Sequence, residues 1–401
     1  MRGRRAPERG IVTAPTGETG RIRWLIPDLP SAAELSPYLQ RIDAMRWYTN
    51  FGPLVRDFEA RLGTLVGAGN GVVHCVTTSS GTAALELALA ALDLPRGARV
   101  LVPSFTFPAS ATSVARAGLQ AVLCDVCPHR WQLTPEIARR LASRHRFHAV
   151  MPVAGFGAPL DVGAWDEFSG DTGLPVLVDA AAALGVVTIG RRIHLAYSLH
   201  ATKPLGIGEG GVFATRDAGM AGRVRRATNF GFADDVVRAP GTNAKLSEYA
   251  AAVGLAQLDR WQGLRARRMR VLNAYRTELT GVAVGFPPAL AECAPAVLVL
   301  RLPRSAATIA RALDARGVET RRVYVPPLHR HPAFRRLARA GAPRGRLPVC
   351  EELSRELLGV PFHTFLDVSD VAAVAGALRA AVLPQPRRAA APAAAPRAQR
   401  I

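Results

Sequence analysis

Between about residue 55 and residue 382 the chain alternates short, almost wholly apolar runs with longer stretches of helical composition. VVHCVTT (72–78), RVLVPS (99–104), AVLCDV (121–126), HAVMPV (148–153) and PVLVDA (175–180) read as strands. Their apolar residues are continuous rather than alternating, which predicts strands buried on both faces: a parallel sheet covered by helices on each side. SSGTAALELALAALDL, from Ser79, predicts a helix apolar on nearly every face, and 108–117 predicts another. After about residue 260 the pattern changes to an Arg-rich helical stretch (255–280), strands near 296–302, and helices near 305–316 and 369–382. The expected division is a disordered arm 1–23, a large domain 24–260, a smaller C-terminal α/β domain 261–383 and a disordered tail 384–401.

Composition sharpens this picture. With 401 residues, 49% apolar, the chain is neither disordered nor fibrous and can bury a large core. The net charge of +20 would ordinarily suggest a nucleic-acid partner. It is concentrated, however, in three stretches: residues 1–25, the tail, and 301–346, where twelve Arg face only Asp314 and Glu319. No nucleic-acid motif accompanies them and aromatics are 6%, so a solvated basic surface is expected. No apolar run reaches the length of a membrane-spanning helix, and the N-terminus lacks the apolar core of a secretion signal. Five cysteines without a framework suggest the cytoplasm. Cys124 and Cys127 have no second pair at zinc spacing, so no metal site is expected.

One detail of the charge count matters more. Only Lys203 and Lys245 among 51 basic residues are lysines. A lysine that persists where Arg otherwise supplies positive charge is a candidate for chemistry Arg cannot do, such as forming a Schiff base. Lys203 lies in SLHATKPLGIGEGG (198–211), whose glycines would let the backbone pack under a planar ligand. The turn Thr78-Ser79-Ser80-Gly81-Thr82 could cradle a phosphate at a helix N-terminus, or could be an ordinary capped helix start. Asp179 ends an apolar strand, where doubly wound sheets bind ligands. Lys245 follows a Gly-Thr-Asn turn and reads most simply as an exposed or interface residue. A phosphate cradle, a strand-end carboxylate and a lysine on one sheet are together what pyridoxal phosphate requires.

From residue 24 to 382 the chain resembles the DegT/StrS-type nucleotide-sugar aminotransferases. The resemblance is carried, in order, by WYTNFGPLVRDFEARL (47–62), TTSSGTAALELALAAL (77–92), VPSFTFPASATSVARAG (102–118), VDAAAALG (178–185), SLHATKPLGIGEGG, GTNAKLSEYAAAVGLAQL (241–258) and RRVYVPPLH (321–329). It implies the pyridoxal-phosphate transferase fold type I (aspartate-aminotransferase-like), with the cofactor in the large, mainly parallel-sheet domain. It further implies Lys203 as Schiff-base lysine and general base, Asp179 facing the pyridine nitrogen, and Phe107 stacking on the ring. Gly81, Thr82 and Ser198 would hold the phosphate, with Asn243 contributed across a homodimer whose active sites are shared. The implied activity is a ping-pong transamination through pyridoxamine phosphate. An amino acid, glutamate first, would be the donor and a nucleotide-linked deoxyhexose, aminated at its 4-keto position, the acceptor, as in antibiotic biosynthesis.

One position departs from the family. Three residues after the ring aspartate, where Gln or His usually stands, this chain has Ala182. That leaves open a weakened enzyme, altered chemistry or a non-catalytic relative. Retention of Lys203 argues against the dehydratase branch, in which this lysine is His. Two other readings stay open: a regulatory protein whose basic regions engage nucleic acid or acidic partners, and a pyridoxal-phosphate enzyme acting on an aminocyclitol or another non-sugar substrate.

Overall fold

The five apolar runs do form strands, shorter at their ends than the runs themselves. They are β1 (His74–Thr78), β2 (Arg99–Pro103), β3 (Gln120–Cys124), β4 (Ala149–Val150) and β5 (Leu177–Asp179). The structure, a computed structural model, describes residues 20–69, 71–290, 293–342 and 345–383. The expected disordered tail and most of the expected arm therefore lie outside the described residues. Two further strands, β6 (His194–Ser198) and β7 (Gly211–Thr215), complete the sheet. Pairing runs β1-β7-β6-β5 on one side and β4-β2-β3 on the other. Parallel bridges Val150–Val176 and Val153–Asp179 join the two halves.

The sheet is parallel except at β7, which runs antiparallel to both β1 and β6. Its chain returns from β6 through a tight loop rather than a helical crossover, and only an antiparallel partner can be reached that way. Along the other strands, successive side chains enter different cores. Leu101, Val176, Val178, Leu195 and Tyr197 join one core, while Val100, Val102, Leu177 and Ala196 join the second. Alternate residues of one strand feeding two dry cores is the geometry that continuous apolar runs predict.

Helices α1 (Ala32–Met45), α2 (Pro53–Gly67), α3 (Gly81–Ala91), α4 (Pro108–Arg116), α5 (Pro135–Ala142), α6 (Val162–Thr172) and α7 (Ala218–Thr228) cover the sheet. α2, α5 and α6 bury apolar residues in the first core; α3, α4 and α7 do so in the second. A hairpin of β8 (Phe232–Ala233) and β9 (Val236–Val237) leads to the 31-residue helix α8 (Glu248–Glu278). α8 runs straight across residue 260, the expected domain boundary. Its Ala251, Leu255 and Trp261 belong to the first large-domain core, and Val271, Leu272 and Tyr275 to a third core. That third core holds β10 (Val299–Arg301), α9 (Ala306–Asp314), part of β12 (Leu357–Gly359) and α11 (Val368–Val382). Its sheet order is β10-β12-β11, with β11 at Arg321–Arg322.

The C-terminal part also folds back on the large domain. Residues 338–340 pair with Leu123 at the outer edge of β3. The carboxylate of Asp125 accepts from the amides of Val349 (3.0 Å) and Cys350 (2.8 Å), capping α10 (Pro348–Glu356). Part of the Arg-rich stretch is ion-paired: Arg301 with Glu352 and Glu356, and Arg330 with Glu351. Among the described residues no helix is long and apolar enough to cross a membrane.

One buried carboxylate orients the N-terminal layer. Glu248, fully buried at the start of α8, accepts from the amides of Leu54 (2.7 Å) and Val55 (3.0 Å). It satisfies the N-terminus of α2, whose own cap position is Gly52 and offers no side-chain oxygen. Glu248→Ala would orphan two buried donors, and thermal or urea unfolding should show a loss of roughly 3 kcal/mol, with Glu248→Gln losing less.

Candidate active site

All the strand ends that matter meet at one edge of the sheet. β5 ends in Asp179, whose side chain is only 4% exposed. Ser110, one turn into α4, donates to its Oδ2 at 2.6 Å, and the Ala181 amide donates to Oδ1 at 3.2 Å. Ser110 also lies 2.9 Å from the Thr106 hydroxyl. Burial pushes the Asp179 pKa up, while Ser110, Ala181 and the charge of Lys203 pull the other way. A carboxylate this far from water is costly unless a positive charge or several donors face it.

Lys203 reaches the same place from the loop after β6. That loop doubles back on itself, with Leu199 N donating to Gly210 O and Ala201 N to Gly208 O, both at 2.8 Å. The Lys203 amide donates to His200 O at 2.8 Å. From α8, the buried Gln257 side chain donates to Gly206 O (2.9 Å) and Asp28 O (2.8 Å), gripping the loop from behind. Lys203 stays partly open to the site. Desolvation lowers its pKa and Asp179 opposes the fall. An amine so placed gives up its proton more readily than a surface lysine.

The turn after β1 adds an N-terminal helix end. Ser80 caps α3 by accepting from the Ala83 amide at 3.1 Å. The backbones here are too close for side chains. A Cβ on Gly81 would stand 2.8 Å from Ser198 Cβ, and one on Gly211 would stand 2.3 Å from Ser80 O. The two glycines thus let the start of α3, the end of β6 and the start of β7 meet. Gly81 and Ser198 lie against each other with Thr82 next along the chain, and the turn is a capped helix start.

Phe107 is the N-cap residue of α4 and is 64% exposed at the same edge. Asn243 is exposed as well, on a strip that bridges to Asn229. Its neighbour Ala244 accepts from the Ser79 amide of the same chain at 2.8 Å. Lys245 donates to Asn229 Oδ1 at 2.8 Å and lies 4.9 Å from the Phe230 ring centroid. Its ammonium is therefore engaged within its own strip.

Several residues at this edge escaped the sequence reading. Ser110 and Gln257 are two of them. Tyr324 is another: its ring stacks on Phe156 (5.0 Å, 23°) and meets Phe105 edge-on (5.0 Å, 86°). Burial and the charge of Asp179 both push the Tyr324 phenol pKa up. Phe156 in turn precedes Gly157, where a Cβ would stand 2.5 Å from the carbonyl oxygen of Ala182. Ala182 itself brings only a methyl group, so its side chain offers no hydrogen bond here.

His329 and Ser104 fasten this C-terminal segment to the end of β2. Their side chains are 2.7 Å apart, and Ser104 Oγ also accepts from the His329 amide at 3.1 Å. With Ser104 donating to Nδ1, the Nε2 proton is left for Glu351, 3.1 Å away. Burial lowers the His329 pKa, in keeping with that neutral tautomer. The signal for this tie was present in RRVYVPPLH, but nothing local in it points to Ser104.

Comparison with known proteins places the chain in one family. The model of the DegT/DnrJ/EryC1/StrS aminotransferase family matches residues 31–379. The chain is 32% identical to Protein MT3510 of Mycobacterium tuberculosis, over 92% of each chain. It is also 32% identical to the dTDP-3-amino-3,4,6-trideoxy-alpha-D-glucose transaminase of Streptomyces venezuelae, over 90% of this chain and 96% of that one. The crystal structure of S. venezuelae DesV superposes with a TM-score of 0.79 at 29% identity, covering 88% of this chain and 98% of the other. This chain belongs to the DegT/DnrJ/EryC1/StrS aminotransferase family and is a pyridoxal-phosphate-dependent aminotransferase of fold type I.

Proposed function

We propose that this chain transfers an amino group from an amino acid, glutamate first among donors, to a keto group of a nucleotide-linked deoxysugar. The observation that carries the reading is the facing of Lys203 and buried Asp179 beside the glycine-lined start of α3. The name of the S. venezuelae relative supports the sugar class. The likeness of segments 47–53 and 241–248 to family members acting at the 4-keto position makes that acceptor the first choice, and the relative's name makes a 3-keto sugar the second.

Pyridoxal phosphate fits the residues present. A buried carboxylate held by Ser110 suits a protonated ring nitrogen, and the N-terminus of α3, which Gly81 brings against Ser198, suits a phosphate. Gly81, Thr82 and Ser198 would hold the phosphate, Phe107 would cover the ring, and Asn243 would be supplied by a second copy. When bound, the cofactor supplies an aldehyde for amine capture and a ring that takes up electrons released at the donor α-carbon. Lys203 tethers it between turnovers. With its amine neutral, the Lys203 side chain would take the proton from the donor α-carbon and redeliver it. Asp179 keeps the ring nitrogen cationic throughout. Tyr324, from the C-terminal side, is near enough for its phenol to feel the charge of Asp179, whereas Ala182 brings only a methyl group. Trp47, Tyr48, Phe230, Phe232, Val237 and Tyr249 are each 44–56% exposed, an apolar surface that suits a second copy.

Three outcomes are expected. Lys203→Ala should lose turnover and the borohydride-reducible chromophore together; a variant that kept both would end the assignment. In a half-reaction followed by absorbance, glutamate should bleach the holoenzyme faster than other amino acids. The loaded enzyme should then aminate a dTDP-4-keto-6-deoxyhexose ahead of its 3-keto isomer, and indifference to both sugars would favour a non-sugar acceptor. The third concerns Asp179. Because its folded pKa lies above the ordinary value, ionised Asp179 costs stability at neutral pH, and the cost fades as pH falls towards that value. Cofactor-free Asp179→Asn should therefore melt no lower than cofactor-free wild type at pH 7, yet gain less from added cofactor and lose roughly 100-fold in kcat/KM.

A further inference from the structure

Behind Ser110 stands a second buried hydroxyl. Thr106, 1% exposed, places its Oγ1 2.9 Å from Ser110 Oγ, and the fully buried Ser110 is in turn 2.6 Å from Asp179 Oδ2. The two residues flank the start of α4. Thr106 precedes the N-cap residue Phe107, and Ser110 lies in the first turn. Backbone bonds hold Ser110 in place: its amide donates to Phe107 O at 3.2 Å, and its carbonyl accepts from Ser113 Oγ at 2.9 Å.

The order of donors follows from the charge at the end of the row. With Asp179 ionised, Ser110 gives its one proton to the carboxylate, and the Thr106 proton is left for Ser110 Oγ. The bond to the carboxylate is the shorter of the two, as a hydroxyl bonded to a charged acceptor should be. Hydroxyls in a row polarise one another, so Thr106 strengthens what Ser110 donates although its own bond is to Ser110.

This row bears on how strong a base Asp179 is. Burial raises its pKa, and the Ser110 hydrogen bond is the largest of the effects that lower it, ahead of the Ala181 amide and the charge of Lys203. Tyr324 also feels the Asp179 charge, and burial together with that charge keeps its phenol protonated. A carboxylate and a ring nitrogen that share one proton leave it on the stronger base. Burial without donors would make the carboxylate the stronger and draw the proton to Asp179; donors to its oxygens reverse that.

We propose that Thr106 and Ser110 are positioning residues for the transamination, a two-hydroxyl relay that weakens Asp179 as a base so that the shared proton stays on the ring nitrogen of the cofactor. The proposal rests on the reading of Asp179 as the partner of that nitrogen. With the proton on Asp179 instead, electrons released at the donor α-carbon would be taken up less readily, so the relay acts on kcat rather than on KM.

The test is the nitrogen-15 NMR signal of ring-labelled pyridoxal phosphate in the holoenzyme, which separates a protonated from a neutral ring nitrogen. Wild type should show the protonated form. Ser110→Ala should move the signal towards the neutral form and lower kcat by roughly tenfold or more, with KM for the amino donor nearly unchanged. Thr106→Val keeps the shape and removes the hydroxyl, and should move the signal the same way by less. The double variant should match Ser110→Ala, because Thr106 acts only through Ser110. An unmoved signal in Ser110→Ala, or a Thr106→Val effect that adds in full to it, overturns the relay. Asp179→Asn tests the reading beneath it: a nitrogen that stays protonated in that variant removes Asp179 as its partner, and the proposal with it. A nitrogen neutral in Asp179→Asn but unmoved in Ser110→Ala removes the relay alone. A second measurement needs no cofactor. In the cofactor-free full-length chain the Asp179 carboxyl, followed by carbon-13 NMR and assigned with Asp179→Asn, should titrate at higher pH in Ser110→Ala than in wild type; equal midpoints would overturn the proposal.

Discussion

The carboxylate of Asp179 is held almost wholly out of water, and much of the molecule can be understood as what makes that tolerable. A lone buried charge would neutralise or unfold its surroundings. Here it sits at the end of a central strand, with Ser110 and the Ala181 amide donating to its two oxygens and Lys203 facing it. Those groups come from α4, from the turn after β5 and from the loop after β6. The sheet and its two dry cores bring them within reach of one another. The opposed shifts of Asp179 and Lys203 follow from the same burial. Desolvation penalises both charges, so each is left more dependent on what binds between them.

The second constraint is closure from the C-terminal side. The chain after α8 does not stay in its own core. It returns to pair with β3, to cap α10 on Asp125, and to fasten His329 to Ser104. This return places Tyr324 against Phe105 and Phe156, beside Asp179. An aromatic cluster from a distant part of the chain thus packs near the end of β5, while Ala182 brings only a methyl group. Meanwhile α8 holds both halves together. Its Gln257 grips the lysine loop, its Glu248 caps α2, and its Trp261 and Arg268 line a small cavity at the seam.

The charge excess resolves along similar lines. Within the 301–346 stretch Arg301, Arg330 and Arg346 pair with Glu351, Glu352 and Glu356, while Arg260 and Arg267 of α8 pair with Asp28. Arginine serves these places because a fork of donors can bind several oxygens at once. Neither lysine is in such a role. Burial lowers the pKa of Lys203 against the opposing charge of Asp179, and Lys245 rests on Asn229 and the ring of Phe230.

The sequence by itself determined what depends on neighbours along the chain. Continuous apolar runs marked β1 to β5 as strands covered on both faces. The turn of small residues at Gly81 marked a close approach, and the rarity of lysine marked Lys203. Asp179 was legible because a charge ending an apolar strand is a local anomaly. What escaped depends on partners far away in sequence. β6 and β7 were hidden because they are short and flank a glycine-rich segment that, read locally, suggests a loop; pairing with β5, with β1 and with each other makes them strands, with β7 reversed. Ser110, Gln257 and Tyr324 look like ordinary helix or loop residues until the sheet brings them to Asp179 and the lysine loop. Hydrophobic periodicity records which face of an element is dry. Which distant group meets a buried charge there is decided only when the elements pack.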